Sequence, residues 1–339
     1  TTDEDWKHNI NTKEKVLIIA EIGNNHEGSY TLAEEMIGLA AEAGADAVKF
    51  QTIIPEKLVS TEQKNRIKQL KKFQLSYDEF TKLSNVAKNE GVIFLSTPFD
   101  IDSALFLNEI VPAFKIASGD NNFFPLIEVI AKTGKPIIMS TGFMNQVEVK
   151  KSSLFIKNIW QENSIGQELA LLHCIASYPA PLESANLLLI PELEQFCDVV
   201  GYSDHTLGVE AVVISVAVGA RVIEKHFTID NHYSDFHDHH LSGNPAVFKE
   251  MVQKIRATEE ILGQGNNGPS KEEINNKEKT RRSIVAKYDL ATGHVLTLQD
   301  LDWVRPGGGI KPGNEEKVIG KRLKRDCKTG KKIELDNLA

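Results

Sequence analysis

The amino-acid sequence predicts an α/β fold, a (β/α)8 barrel followed by a small, mostly β module, and three observations carry that expectation. Short, continuously apolar runs alternate with longer amphipathic stretches from Val16 to about Gly263, as parallel strands buried on both faces alternate with helices. The runs number eight, which fits a closed barrel better than an open doubly wound sheet. Their C-terminal ends collect the polar residues, and in such a barrel those ends form the catalytic mouth.

The first run, VLIIAEIG from Val16, brings Glu21; TLAEEMIGLAAEAG follows with helical periodicity and the glycine expected beyond a helix end. DAVKFQT from Asp46 brings Lys49 and Gln51, and YDEFTKLSNVAKNEG is a second clear helix. VIFLSTP from Val92 brings Thr97, AFKIASG from Ala113 brings Lys115 and Ser118, and PIIMSTG from Pro136 brings Ser140 and Thr141. LALLHC from Leu169, DVVGYSD from Asp198 and RVIEKHFT from Arg221 complete the set, with Ser203 to His205 and His226 at the last two ends. A final helix, AVFKEMVQKIRATEEILG, closes a barrel domain over 1–263. Residues 264–279 are rich in Gly, Asn and charge, with Ile274 alone from the large aliphatic set, and read as a linker. From 280 to 339, short runs separated by ATG and KTG turns indicate the β module, and the two turns suggest an internal pseudo-repeat.

With 339 residues, 41% hydrophobic and 25% charged, the chain can bury a large core. A net charge of -8 argues against nucleic acid as a partner and leaves any phosphate to a few local cations inside a pocket. Cys174, Cys197 and Cys327 are odd in number and far apart, which suits reduced, buried thiols. The polar start TTDEDWKHNINTKEK has no signal-peptide core, and no apolar run approaches the ~20 residues of a membrane span. The expectation is a cytoplasmic protein with no membrane contact.

Taken in order, AEIGNNHEGS, GADAVKFQT, FKIASGD, STG, HCIASYPAP, GYSDHTLG, EKHFT and WVRPGGGIKPG resemble the sialic acid synthase (N-acetylneuraminate synthase) family of nonulosonate synthases. The similarity spans nearly the whole chain, with the C-terminal module resembling an antifreeze-like SAF (β-clip) domain. It implies condensation of phosphoenolpyruvate with an N-acylated mannosamine-type aldose, giving a nine-carbon sugar acid and phosphate, with a divalent metal, Mn2+ or Mg2+, as cofactor.

That reaction makes four demands. Negative charge develops on the aldehyde oxygen as carbon three attacks, which calls for a Lewis acid; His205 and His226 are the candidate metal ligands, two imidazoles leaving positions open for aldehyde and water. Taken singly, each histidine reads rather as a hydrogen-bonded strand-end residue; the pair at adjacent strand ends, inside matching motifs, reverses that. An anion site is needed next, and a buried lysine without a carboxylate partner or an anionic ligand is costly. The resemblance assigns Lys49, Lys115, Ser118 and Ser140 to phosphoenolpyruvate, with Thr97 and Ser203 in support. The alternatives are a structural ion pair with Glu21 or Asp204 and a Schiff-base lysine. Third, the resemblance gives Glu21 the orienting or deprotonation of the water that attacks carbon two, where the bare sequence suggests a salt-bridge partner.

Sugar recognition is the fourth demand. Gln51 and Tyr178 match family positions near the sugar, and Asp238 in SDFHDHHLSGNP is expected to accept hydrogen bonds from sugar hydroxyls. That loop departs from the commoner GPDH pattern; His237, His239 and His240 read as solvent-facing residues rather than an accessory metal cluster. Ala176 stands where many relatives carry a small polar residue, so one contact is missing or falls to Ser177. By resemblance Arg305, ahead of Pro306 and three glycines, reaches the neighbouring subunit's site and contacts the N-acyl group, which implies a domain-swapped homodimer. Rival readings are a lysine-imine barrel aldolase, a synthase acting on arabinose or erythrose phosphates, and a non-enzymatic ice- or carbohydrate-binding protein. The acceptor stays open between N-acetylmannosamine and diacetamido sugars leading to legionaminic-type or pseudaminic-type acids.

Overall fold

The computed structural model describes residues 15–265 and 268–339. The polar start read for a signal peptide, residues 1–14, lies outside the described residues, as do Asn266 and Asn267. Eight strands form the first unit's sheet: β1 Leu17–Gly23, β2 Ala47–Thr52, β3 Ile93–Pro98, β4 Phe114–Ile116, β5 Ile137–Ser140, β6 Leu169–Cys174, β7 Val199–Asp204 and β8 Val222–His226. All ladders between them are parallel, in the order β3-β2-β1-β8-β7-β6-β5-β4. The end strands β3 and β4 lie side by side. This is the cyclic order of the expected barrel, interrupted only at the β3–β4 seam.

Strand alternation sorts the side chains. Ile18, Val48, Phe50, Phe94, Phe114 and Ile223 point outward into the core shared with the helices. Leu17, Ile19, Ala47, Leu95, Ala113, Ile138, Leu172 and Val222 fill the interior. The same two-residue step turns each inner row polar at its C-terminal end. Ile19 leads to Glu21, Ala47 to Lys49, Leu95 to Thr97, Ala113 to Lys115, Ile138 to Ser140, Leu172 to Cys174, and Val222 to Glu224 and His226. A one-residue slip in any strand would expose its polar row to the helix layer, so the apolar pattern below fixes the site above.

Local chemistry starts and stops the helices. Ser29 accepts from Leu32 N to open Tyr30–Glu42, and capping boxes formed by Ser76 with Glu79 and by Asn145 with Glu148 open Tyr77–Asn89 and Gln146–Glu162. Each such cap contributes about 1 kcal/mol. Gly44 and Gly91, the expected stop signals, have φ +93° and +74°. The β6–β7 connection departs from the pattern, with only the four-residue helix Leu189–Glu192 and 3-10 turns. Pro179, Pro181 and Pro191 remove backbone donors there.

The chain divides into two compact units after Gly263. Residues 264–279 are not simply a linker: Lys271–Thr280 is an α-helix. Ser270 Oγ accepts from Glu273 N at 3.1 Å and Glu273 Oε2 accepts from Ser270 N at 2.7 Å, a capping box that the lack of an apolar face obscured. The rest of this unit pairs β9 Ser283–Ala286 with β10 Leu301–Val304, antiparallel, over a core that includes Ile284, Leu296, Leu301, Leu323 and Ile333. The suspected pseudo-repeat is visible in its hydrogen bonds. Asp289 Oδ1 accepts from Thr329 N and Oγ1, Asp326 Oδ1 accepts from Thr292 N and Oγ1, and Leu290 and Cys327 exchange backbone bonds at 2.8 Å. Among the described residues no helix is long and apolar enough to cross a membrane.

Candidate active site

Glu21, Lys49, Lys115 and Glu224 stand together on the inner wall at the C-terminal strand ends, all buried. Lys49 Nζ lies 2.6 Å from Glu21 Oε2 and 3.7 Å from Glu224 Oε2, and donates to Thr97 Oγ1 at 3.0 Å. Lys115 Nζ is 3.8 Å from Glu224 Oε1, which also accepts from Ser203 Oγ at 2.9 Å. Gln51 Nε2 donates to Glu21 Oε1 at 3.0 Å, and Gln51 Oε1 accepts from Asn24 Nδ2 at 3.1 Å. Gly23 permits this approach at φ +55°, since a Cβ there would sit 3.1 Å from Glu21 Oε1 and 3.2 Å from Gln51 Nε2.

The four groups do not share charge evenly. Burial raises the Glu21 carboxyl above its usual range, and Glu224 adds to this against the pull of Lys49. Burial acts the same way on Glu224, but Lys115, Lys49 and Ser203 outweigh it and hold that carboxyl low. Burial also works against the charge on Lys49, yet Glu21 and Glu224 win and hold it above the usual lysine value. At Lys115 burial wins, and its value falls. The neighbours of Glu224 thus favour its charged form, whereas burial works against charge on Glu21.

Beside this cluster the His205 and His226 rings lie 5.5 Å apart, with Tyr178 tilted by 38° at 4.1 Å from His205 and edge-on 6.1 Å from His226. His205 Nδ1 lies 2.8 Å from the Ile175 carbonyl oxygen, leaving Nε2 for a ligand. Buried His226 Nδ1 has no hydrogen-bond partner. Burial, helped by the charge of His205, keeps His226 well below the usual imidazole value and so neutral, as a metal ligand must be. The pair fits a site with two protein ligands and open positions. Among the described residues no group of three or more His, Cys, Asp and Glu converges on one point.

Ser118 and Ser140 flank the cluster. Ser118 Oγ accepts from Gly142 N at 3.1 Å, and the buried Ser140 Oγ has no hydrogen-bond partner. Asp238 sits on the short helix Asp238–Leu241, its side chain 15% exposed and 2.8 Å from His237 Nε2, close enough to His205 for the imidazole to act on it. His237 and His240 are exposed as expected; His239, expected to face solvent, is instead fully buried, with its ring nitrogens against Thr228 Oγ1 and Glu27 Oε1. Ser177, exposed, donates to the Pro179 carbonyl at 3.3 Å. Arg305 is exposed in the second unit, directly after β10.

Sequence reasoning missed several residues. Glu224 lay in the quoted EKHFT run, but nothing local showed that both lysines would depend on it. Asn121 Nδ2 donates to the carbonyls of Ser140 and Gly142 at 3.1 and 2.8 Å and ties the β4 and β5 loops together. Lys49 does pair with Glu21, whereas Asp204 pairs with outward-facing Lys225 at 2.5 Å. Cys174 and Cys327 are buried as expected and Cys197 is half-buried; the Cys174 Sγ faces the interior 3.8 Å from His205 Nδ1. Burial raises that thiol, but His205, Ser118 and Lys115 bring it below the usual value.

Residues 36–267 match the NeuB family, and residues 281–339 match the SAF domain. The chain is 42% identical over 328 residues to an uncharacterized protein of Methanocaldococcus jannaschii, covering 96% of this chain and 95% of that protein. It is 38% identical to an N,N'-diacetyllegionaminic acid synthase of Legionella pneumophila, covering 92% of each. A solved sialic acid synthetase of Leptospira borgpetersenii, in complex with citrate, superimposes with TM-score 0.73 at 34% identity, over 78% of this chain and 90% of that one.

Proposed function

The chain belongs to the NeuB family, and on that premise we propose that it condenses phosphoenolpyruvate with an N-acylated, mannosamine-type or diacetamido aldose to give a nonulosonic acid and phosphate. The observation that carries this reading is the pair of buried lysines converging on Glu224 at the barrel mouth. Lys49 and Lys115 receive the phosphate and carboxylate of phosphoenolpyruvate, assisted by Ser118, Ser140, Thr97 and Ser203. Carbon three attacks the aldehyde carbon, water adds at carbon two, and the carbon–oxygen bond to phosphate then breaks. Glu21, its proton affinity raised by burial, takes the proton of that water while Gln51 and Lys49 hold its carboxylate in place. His205 and His226 would hold a divalent cation, Mn2+ or Mg2+, whose chemistry is to polarise the aldehyde oxygen. Tyr178 shields both imidazoles, and Asp238 accepts from sugar hydroxyls. Arg305 completes the site of a second copy in a swapped homodimer.

One observation favours the imine alternative: burial lowers Lys115, as a Schiff-base lysine requires. A single set of assays separates the readings. The protein is incubated with phosphoenolpyruvate and a panel of N-acylated sugars, with and without chelator, and product mass and free phosphate are followed. A nonulosonate mass with matched phosphate release, lost on chelation without unfolding and restored by Mn2+ or Mg2+, is expected. Turnover that persists in excess chelator, with pyruvate added in place of phosphoenolpyruvate and trapped on a lysine by borohydride, would transfer the case to the aldolase.

A further inference from the structure

The loop from Thr228 to Gly243 carries the helix with Asp238, and the histidine beside that aspartate, His239, is fully buried. Its Nδ1 lies 2.6 Å from Thr228 Oγ1 and its Nε2 lies 3.1 Å from Glu27 Oε1; Ser234 Oγ donates to the same glutamate oxygen. Glu27 belongs to the turn after β1 and holds φ +49°, a left-handed conformation uncommon for this residue type. The loop is also tied to itself. Asn231 Nδ2 donates to the His239 and Ser242 carbonyls at 2.8 and 2.7 Å. Ser242 Oγ donates to the Asp238 carbonyl at 2.5 Å and accepts from Asn25 Nδ2 at 3.0 Å.

We propose that His239 is a positioning residue for the acceptor sugar: by clasping Glu27 and Thr228 it fixes the helix that carries Asp238, and with it the carboxylate that meets the sugar hydroxyls. The inference rests on the proposed function. Its physical basis is that both nitrogens of a fully buried ring are engaged, on two different segments. An apolar side chain could fill the same space, but it would not tie the loop to the turn after β1. That turn also supplies Asn24, which holds Gln51, so one clasp joins the two parts of the sugar subsite. His237 and His240, exposed on the same loop, have no such reach.

The test is steady-state kinetics on His239→Ala, Asp238→Ala and the double variant, with the acceptor that the wild type uses best. His239→Ala should raise KM for the sugar on the order of tenfold while KM for phosphoenolpyruvate stays within about twofold. Adding it to Asp238→Ala should change little, because a residue that acts through another loses its effect when the other is gone. Glu27→Gln, which keeps the shape of the turn, should show the same sugar-selective pattern and serves if the alanine variant does not fold. Equal effects on both substrates, or additive losses in the double variant, would overturn the proposal while leaving synthase activity in place. Absence of any turnover by the wild type would remove the proposed function and this inference with it.

Discussion

Glu21 and Glu224 show how one residue type acquires two characters from its surroundings. They share Lys49, yet only Glu224 also meets Lys115 and Ser203, and that asymmetry separates their proton affinities. His26, in the turn after β1, is another residue whose setting fixes its state. Buried, with Nδ1 accepting from Gly28 N at 3.0 Å, it is held down to about 4 by desolvation. The folded protein therefore resists a proton that the unfolded chain accepts below its ordinary 6.5. Stability is intact above that value and declines as pH falls from about 6.5 to about 4, by about 3 kcal/mol for this group alone. Urea unfolding across that window should show His26→Gln with a pH slope shallower by up to one proton; equal slopes would leave His26 without a role in acid lability. Glu21, Lys49 and Lys115 were legible from the sequence because each interrupts an apolar run. His26 and Glu224 were not, since burial and the convergence of partners depend on the closed barrel.

At the scale of the elements, the β7–β8 ladder sets the two imidazoles. Asp204 and Lys225 are paired across it in register and face outward, so Ser203, Glu224 and His226 face inward by alternation. Asp204 Oδ1 accepts from Tyr202 OH, Thr206 N and Thr206 Oγ1, and Lys225 Nζ donates to Asp204 Oδ2 at 2.5 Å and to the Thr206 carbonyl at 2.9 Å. Lys225→Met should cost about 3–5 kcal/mol in equilibrium unfolding, because it leaves a buried carboxylate without its counter-charge. Adding Asp204→Asn should recover part of that loss, since two neutral groups replace an orphaned ion. A double variant as weak as the sum of the singles would remove the pairing argument. The strands were readable from periodicity, and the Lys271–Thr280 helix could have been read from its Ser-Lys-Glu-Glu start. The Asp204–Lys225 tie was not readable, because register appears only when two strands are laid side by side.

At the scale of the whole molecule, charge is divided unevenly along the chain. Residues 264–339 hold 16 Lys and Arg against 11 Asp and Glu, a formal +5, while residues 1–263 hold 23 against 36, a formal -13; together these make the chain's -8. Arg305 lies on the positive unit, and the proposed site takes it either from its own chain or from a second copy. Complementation separates the two arrangements. Glu21→Gln and Arg305→Ala each remove one residue of the proposed site, on different units. If Arg305 serves a second copy, mixing the two inactive proteins assembles one intact site in each mixed dimer, and activity should return to about a quarter of wild type after random exchange. Mixed dimers verified by mass but without activity would mean that Arg305 serves its own barrel or none.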